Sequence, residues 1–305
     1  MIGAIAAHQV LSLRRQRTFI AILVTFLAMA ALAGVLGWSS HRTIVRVYDE
    51  AVRMVAARGE RAPANPFDVK PPLALLSNMA IYVPLIGALL ALIVGHLSFA
   101  DDHAGGLGRM IFSRAVSRSV YVVGKVVAAA EVLAVVLGAC FLISALSLFV
   151  VNSRLPSGGN LLRLGGFYAL AWLYLMLFAL AGMTTALMTK RRSLALLSAI
   201  SIWLVVTFAL PQFTSGLRPQ ASLNPVSDPV SSSQTFFKVT AKARPFSVTE
   251  QYKEASARIL ETASAEPTAT TVVRVLPIAA LAIGLLLLAL RLARSHDYSS
   301  GRADD

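Results

Sequence analysis

The sequence predicts an all-α membrane protein with six transmembrane helices, and three observations carry that reading. Six separated apolar stretches are each about long enough to cross a bilayer: Phe19 to Trp38, Met79 to Phe99, Val126 to Val151, Phe167 to Met188, Leu194 to Phe213, and Leu276 to Leu290 with its flanks. The 305 residues are 56% hydrophobic and only 14% charged, with a mean hydropathy of +0.69, which no soluble core requires. The charges gather between the stretches rather than within them. Because unpaired backbone polar groups are too costly in lipid, each stretch has to be a helix. Residues 1–305 therefore read as a single transmembrane domain.

The elements follow in order. Over residues 1–18, Ile2, Ile5, Ala6, Val10 and Leu13 share one side of a helix that ends in Arg14, Arg15 and Arg17. Such a helix lies in the headgroup plane before the chain turns into the bilayer. The same arginines ahead of Ala31, Leu32 and Ala33 mimic a cleaved signal peptide. The apolar run continues to Trp38, an interfacial anchor, so an uncleaved first helix is expected. In the segment 39–78, Ile44, Val47, Tyr48, Ala51, Val52 and Val55 keep helical spacing, with Arg46, Asp49, Glu50 and Arg53 elsewhere on the wheel. This predicts an amphipathic helix that stops before Pro63, Pro66, Pro71 and Pro72.

The segment 214–274 is rich in Ser, Pro and Gln until Ser247, where Ser-Val-Thr-Glu predicts a capping box with Glu250. The helix it opens places Val248, Tyr252, Ala255 and Ile259 on one stripe. Both helices outside the spans are expected to cap the membrane domain from the extracytoplasmic side, recognition of an external partner or substrate being the alternative. Ala128, Ala129 and Ala130, with Gly165 and Gly166, are candidates for close helix approach, and Pro84 and Pro277 for kinks.

Orientation follows from basic density. With the N-terminus, the loop 100–125, the short loop at Lys190 and the C-terminus inside, about 13 basic residues fall in roughly 64 positions, against about 15 in roughly 114 on the other side. Lys190, Arg191 and Arg192, packed into one short loop, are the clearest marker, and the expected topology is N-in, C-in.

The loop 100–125 is the most specific part of the chain. It begins with Asp101, Asp102, His103, Ala104, Gly105 and Gly106, and continues through a short apolar run, Leu107 to Ser113, carrying Arg109. Arg114, Ser117 and Arg118 follow, and Gly124 and Lys125 enter the third span. Acids followed by glycines let the chain leave the membrane, turn, and start a short helix on the cytosolic surface. Arg109, Arg114 and Arg118 are then placed to meet an acidic partner or headgroups, or serve only as topology charges. The arrangement resembles the permease subunits of the ABC-2 family of transporters, and particularly the NosY-like branch. In that resemblance the acid maps to Asp102, the glycine pair to Gly105 and Gly106, the hydroxyl to Ser113, the turn to Ser117 and Arg118, and the Gly-Lys pair to Gly124 and Lys125. Ala115 stands where the family has proline, and Leu107 with Gly108 replaces Thr-Leu. Leu223, Asn224 and Pro225 in the last external segment are a second echo.

Several function classes are excluded or disfavoured. No G-x-x-x-x-G-K-[ST] occurs, so this chain has no P-loop with which to cradle ATP. No G-x-S-x-G or H-E-x-x-H and no paired glutamates of an intramembrane protease occur. His8, His41, His96, His103 and His296 are scattered and predict no metal site. The net charge of +13 lacks a basic stripe interleaved with aromatics, so headgroups and a cytosolic partner are its natural counter-charges rather than nucleic acid. Cys140, the one cysteine, sits within a span and forms no intrachain disulfide. Glu131 is the acid well inside a span, either a functional intramembrane group or one paired to a basic neighbour.

What the resemblance implies is a permease subunit of an ATP-binding cassette exporter in the bacterial inner membrane, not itself an enzyme. It would act as a homodimer or heterodimer with cytosolic ATPase subunits that hold ATP and Mg²⁺, and the loop from Asp101 to Arg118 would receive the ATPase motion. A non-transporting member that drives cofactor maturation or envelope remodelling is the alternative from another class. A proton-coupled carrier centred on Glu131 is a weaker one, and no six-helix inverted repeat supports it.

Overall fold

The computed structural model describes residues 2–59, 72–104, 117–152, 156–189, 191–214, 239, 241–262 and 268–295. Among these there are only helices, and six are long and apolar enough to cross a membrane. They coincide with the six stretches read from the sequence. In chain order the elements are α1 (Ile2–Arg15), α2 (Arg17–Ala57), a 3₁₀ turn (Pro72–Leu76), α3 (Met79–Tyr82), a π segment (Val83–Gly87) and α4 (Ala88–Ala104). Then come α5 (Arg118–Asn152), α6 (Gly158–Met188), α7 (Arg192–Leu204), a second π segment (Val205–Ala209) and α8 (Leu210–Thr214). A 3₁₀ turn (Ala241–Phe246), α9 (Val248–Ile259) and α10 (Thr268–Ser295) complete the order.

The second and fourth spans, centred on α4 and α6, form the middle of the bundle. Two-thirds or more of their apolar windows are buried, against less than a third in the other four spans. Lipid tails are as apolar as leucine, so close packing has to hold α4 to α6, and small residues permit it. A Cβ built on Gly95 would lie 2.7 Å from the Ala179 carbonyl carbon, and one on Gly182 would lie 2.9 Å from the His96 amide nitrogen. The backbones therefore touch at Gly95 and Gly182. Gly165 and Gly166 meet nothing within 4 Å, whereas Ala128 and Ala129 are fully buried. Several hydroxyls within the spans bond back to their own helices, as Ser98 does to the Val94 carbonyl and Thr184 to the Leu180 carbonyl, so these cost little in an apolar setting.

Two elements differ from the sequence expectation. The amphipathic helix around Ile44 to Val55 exists, but it is the continuation of the first span, one helix of 41 residues. Nothing from Ser39 to Thr43 breaks a helix. Thr43 bonds back to the Ser39 carbonyl at 3.0 Å, and the Arg42 guanidinium lies 4.2 Å from the Trp38 ring centroid one turn away. At 1.5 Å per residue the part beyond Trp38 extends about 28 Å.

The second difference is α9. Ser247 occupies the N-cap position with extended backbone, yet its hydroxyl makes no capping bond, and Glu250 lies 3.9 Å from Lys253 instead. Rather than lying over the bundle, α9 is inserted into it: Val248, Thr249, Glu250, Gln251, Tyr252, Ala255 and Ser256 are all buried. Tyr252 stacks on Tyr174 with centroids 4.5 Å apart, and Tyr174 lies seven residues, about 10 Å, inside the apolar part of α6. The Glu254 carboxylate pairs with both Arg244 and Arg274, and Arg163 pairs with Glu261, so α9 is fixed to the preceding turn, to α10 and to the start of α6. Pro277 lies inside α10 without ending it.

Candidate functional site

The site read from the sequence sits where α4 ends and α5 begins, and the structure describes its two edges. Asp101 and Asp102 fall in the last turn of α4. Gly105, Gly106, Leu107, Arg109, Ser113 and Arg114 lie outside the described residues. Ser117 precedes α5 and caps it, its hydroxyl accepting from the Val120 amide at 3.3 Å and its carbonyl from Tyr121 at 3.1 Å. Arg118 opens α5 and donates from Nη1 to the Arg294 carbonyl, one of the carbonyls left free at the end of α10. The last turn of α10 is thus tied to the first turn of α5.

About two turns further along α5, Lys125 is 1% exposed. A buried ammonium needs polar company, since desolvation without it would cost several kcal/mol (roughly). Its Nζ donates to Gln9 Oε1 of α1 at 2.5 Å and lies 5.4 Å from the Tyr121 ring centroid. Tyr121 in turn meets Phe99 of α4 edge to face, centroids 6.0 Å apart, both rings fully buried. Gly124 lets α1 lie directly on α5, because a Cβ there would stand 2.9 Å from the Ile5 side chain. The foot of α5 is therefore a junction of four helices: α1 through Gln9 and Ile5, α4 through Phe99, α10 through Arg294, and α5 itself.

Gln9 is the residue the sequence reading passed over. It is 1% exposed and lies between Ala6 and Leu13 on the buried stripe of α1. A polar residue on an apolar stripe was the available signal. Tyr121 and Phe99 gave none, since aromatics at the ends of apolar spans are ordinary. The N-terminal helix accordingly packs on α5 through this stripe, while Leu11 on its other side is exposed.

Glu131 is not brought into this junction. It lies on the outward face of α5, in line with the exposed Val135 and Leu142. Among the described residues no group of three or more His, Cys, Asp or Glu side chains is placed to hold a metal ion. Among the described residues the arrangement offers no nucleophile paired with a base. What the described residues form is a buried, bonded joint of four helices where the loop enters α5.

No curated protein matches the chain. The family described as ABC-2 family transporter protein matches residues 3–296, nearly the whole length and all six spans. This multi-pass membrane protein therefore belongs to the ABC-2 transporter family, whose members are membrane components of ABC transporters.

Proposed function

We propose that this chain is the permease subunit of an exporter of the NosY-like branch, working as a pair of permeases with two cytosolic ATPase subunits in the bacterial inner membrane. ATP and Mg²⁺ would be held on the ATPase, and the loop from Asp101 to Arg118 would carry its motion into the bundle. The observation that supports this most is the four-helix junction at the foot of α5. A displacement delivered between Asp102 and Ser117 meets α4 and α5 directly. Through Lys125 and Arg118 it also meets α1 and α10. A flexible connector would need no buried lysine at its edge.

A second reading keeps the ATPase but replaces transport by transmission of force to a process outside the membrane. The long α2 favours it, since that helix runs unbroken from the N-terminal side of the bundle to about 28 Å beyond Trp38. A proton-coupled carrier gains nothing from Glu131, which faces away from the bundle interior.

The test begins with the neighbouring genes, where an ATPase carrying Walker motifs is the expected partner, and its copurification with this chain is the measurement. Arg118 holds the end of α10, so the charge reversal is confined to Arg109→Glu with Arg114→Glu. This double variant is expected to weaken recovery of the ATPase or uncouple its hydrolysis while expression stays near normal. Gly105→Val with Gly106→Val should do the same without altering charge. If both variants keep full assembly and ATP-dependent activity, the loop is only a connector.

A further inference from the structure

The second and fifth spans each contain one widened turn, and these turns are joined to each other. In Val83–Gly87 the Ala88 amide bonds to the Val83 carbonyl, five residues back, and in Val205–Ala209 the Leu210 amide does the same to Val205. Such π turns are uncommon and tend to occur where a helix has to do something other than stand straight. Proline accounts for both. Pro84, within the first, has no amide proton to continue an α ladder. Pro211 follows the second, and in that five-residue register its missing proton is the one the Val206 carbonyl would have received.

In each turn one carbonyl accepts a hydrogen bond from a side chain elsewhere in the chain. Trp203, on α7, donates its indole Nε1 proton to the Pro84 carbonyl at 3.1 Å, across 119 positions of sequence. Thr249, on α9, donates to the Val206 carbonyl at 2.9 Å, and its hydroxyl oxygen lies 3.0 Å from the Tyr174 hydroxyl of α6. Trp203 and Val206 are neighbours on one helical turn, so a bend at the second π segment shifts the indole relative to Pro84. Trp203 is also braced edge-on by Phe208, centroids 5.4 Å apart. Beyond Thr249, Tyr252 stacks on Tyr174 of the well-buried α6. A continuous line of bonds therefore runs from the second span through the fifth and α9 to the fixed middle of the bundle.

We propose that Val83–Gly87 and Val205–Ala209 are one paired hinge, on which the halves of the second and fifth spans remote from α1 bend together, with Trp203 and Thr249 as its clasps. Hinges of this kind confine a large change of direction to a few residues while the packed remainder moves as rigid pieces. Releasing either clasp unbinds a carbonyl in one span and removes the strut that sets the angle of the other. The transporter reading supplies a purpose for the bending, but the hinge stands on the bonds alone, and its test needs neither ATPase nor substrate.

The test is amide hydrogen exchange on the full-length chain in detergent micelles, comparing wild type, Trp203→Phe and Thr249→Val. Trp203→Phe removes the bond to the Pro84 carbonyl and keeps an aromatic ring, and Thr249→Val removes the bonds to the Val206 carbonyl and the Tyr174 hydroxyl and keeps the branched shape. Loss of one such bond should raise exchange by about fivefold. A paired hinge requires that rise in both π segments for each variant, with α4 near Gly95 and α6 near Gly182 unchanged; Thr249→Val is the sharper arm, since of the two segments Thr249 bonds only to the second, whereas Trp203 meets Pro84 in the first and Phe208 in the second. Thr249→Ser, which retains the hydroxyl, should stay at the wild-type level. A rise confined to the segment that lost its own clasp would mean two independent kinks. A rise spread equally over α4 and α6 would mean general loosening. Either result, or no rise at all, overturns the proposal, and if one variant does not fold the other still decides.

Discussion

The contact of α4 with α6 at Gly95 gives the sharpest stability prediction, because an identical substitution elsewhere serves as its control. Gly95→Ala adds one methyl group in each copy of the chain, and that carbon would stand 2.7 Å from the Ala179 carbonyl carbon, where ordinary contact begins near 3.4 Å. The helices have to part by roughly 1 Å, which forfeits a quarter to a half of the dispersion well for each pair of atoms along the crossing. Overpacking of this kind costs about 1–3 kcal/mol, offset by the roughly 0.5–1 kcal/mol that alanine gains over glycine in a helix. The net expectation is a loss of about 1 kcal/mol. For Gly138→Ala on α5, where nothing lies within 4 Å, only the favourable helix term remains. Thermal unfolding of the two variants in the same detergent should separate their midpoints, Gly95→Ala falling by about 3 °C and Gly138→Ala holding or rising slightly. Equal midpoints would refute the close crossing, and a fall for Gly138→Ala alone would place it on the wrong face of the bundle.

Four further outcomes are expected. The purified chain should neither bind nor hydrolyse ATP, having no P-loop, and nucleotide turnover that survives removal of contaminants would contradict the permease reading. In intact cells a cysteine replacing Phe246 should react with an impermeant maleimide and one replacing Ser193 should not; both positions are exposed, Cys140 is fully buried and contributes little background, and the reverse pattern would invert the topology. Ser256, though on the same segment as Phe246, is fully buried and unsuited to that assay. Glu254→Gln should lower the unfolding midpoint by the equivalent of about 1–3 kcal/mol, because it leaves Arg244 and Arg274 without their shared carboxylate. Glu131→Gln, on an exposed face, should leave the midpoint within about 0.5 kcal/mol, so an activity loss there would mark function rather than folding.

The spans were readable because hydropathy summed over about twenty residues overwhelms local detail, and lipid permits only one backbone solution. Where single residues decide, the sequence was less informative. The shift at Ser39 from an all-round apolar pattern to an amphipathic one marks a change of surroundings, not of backbone, and α2 passes through it unbroken. Thr249, Gln251 and Ser256 look like the solvent side of a surface helix, yet they are buried within the bundle, Thr249 by bonds to Val206 and Tyr174. Gly95 and Gly182 each pair with an alanine four residues away, at Ala91 and Ala186, but Gly165 and Gly166 looked no less suitable in sequence. Of the candidate site, Ser117, Arg118 and Lys125 could be placed, and their roles depend on Gln9 and Arg294, which are distant in sequence and invisible to any local motif.

The unbroken α2 has a consequence for measurement. A rod pivoting where it leaves the bilayer multiplies angle into distance, so a tilt of about 10° at Trp38 sweeps the far end near Ala57 through about 5 Å. That displacement is several times larger than the sub-ångström adjustments a packed core tolerates. A fluorophore on the exposed Arg58 would thus act as the needle of a gauge, registering on one side of the membrane movements too small to follow at the buried joints that cause them.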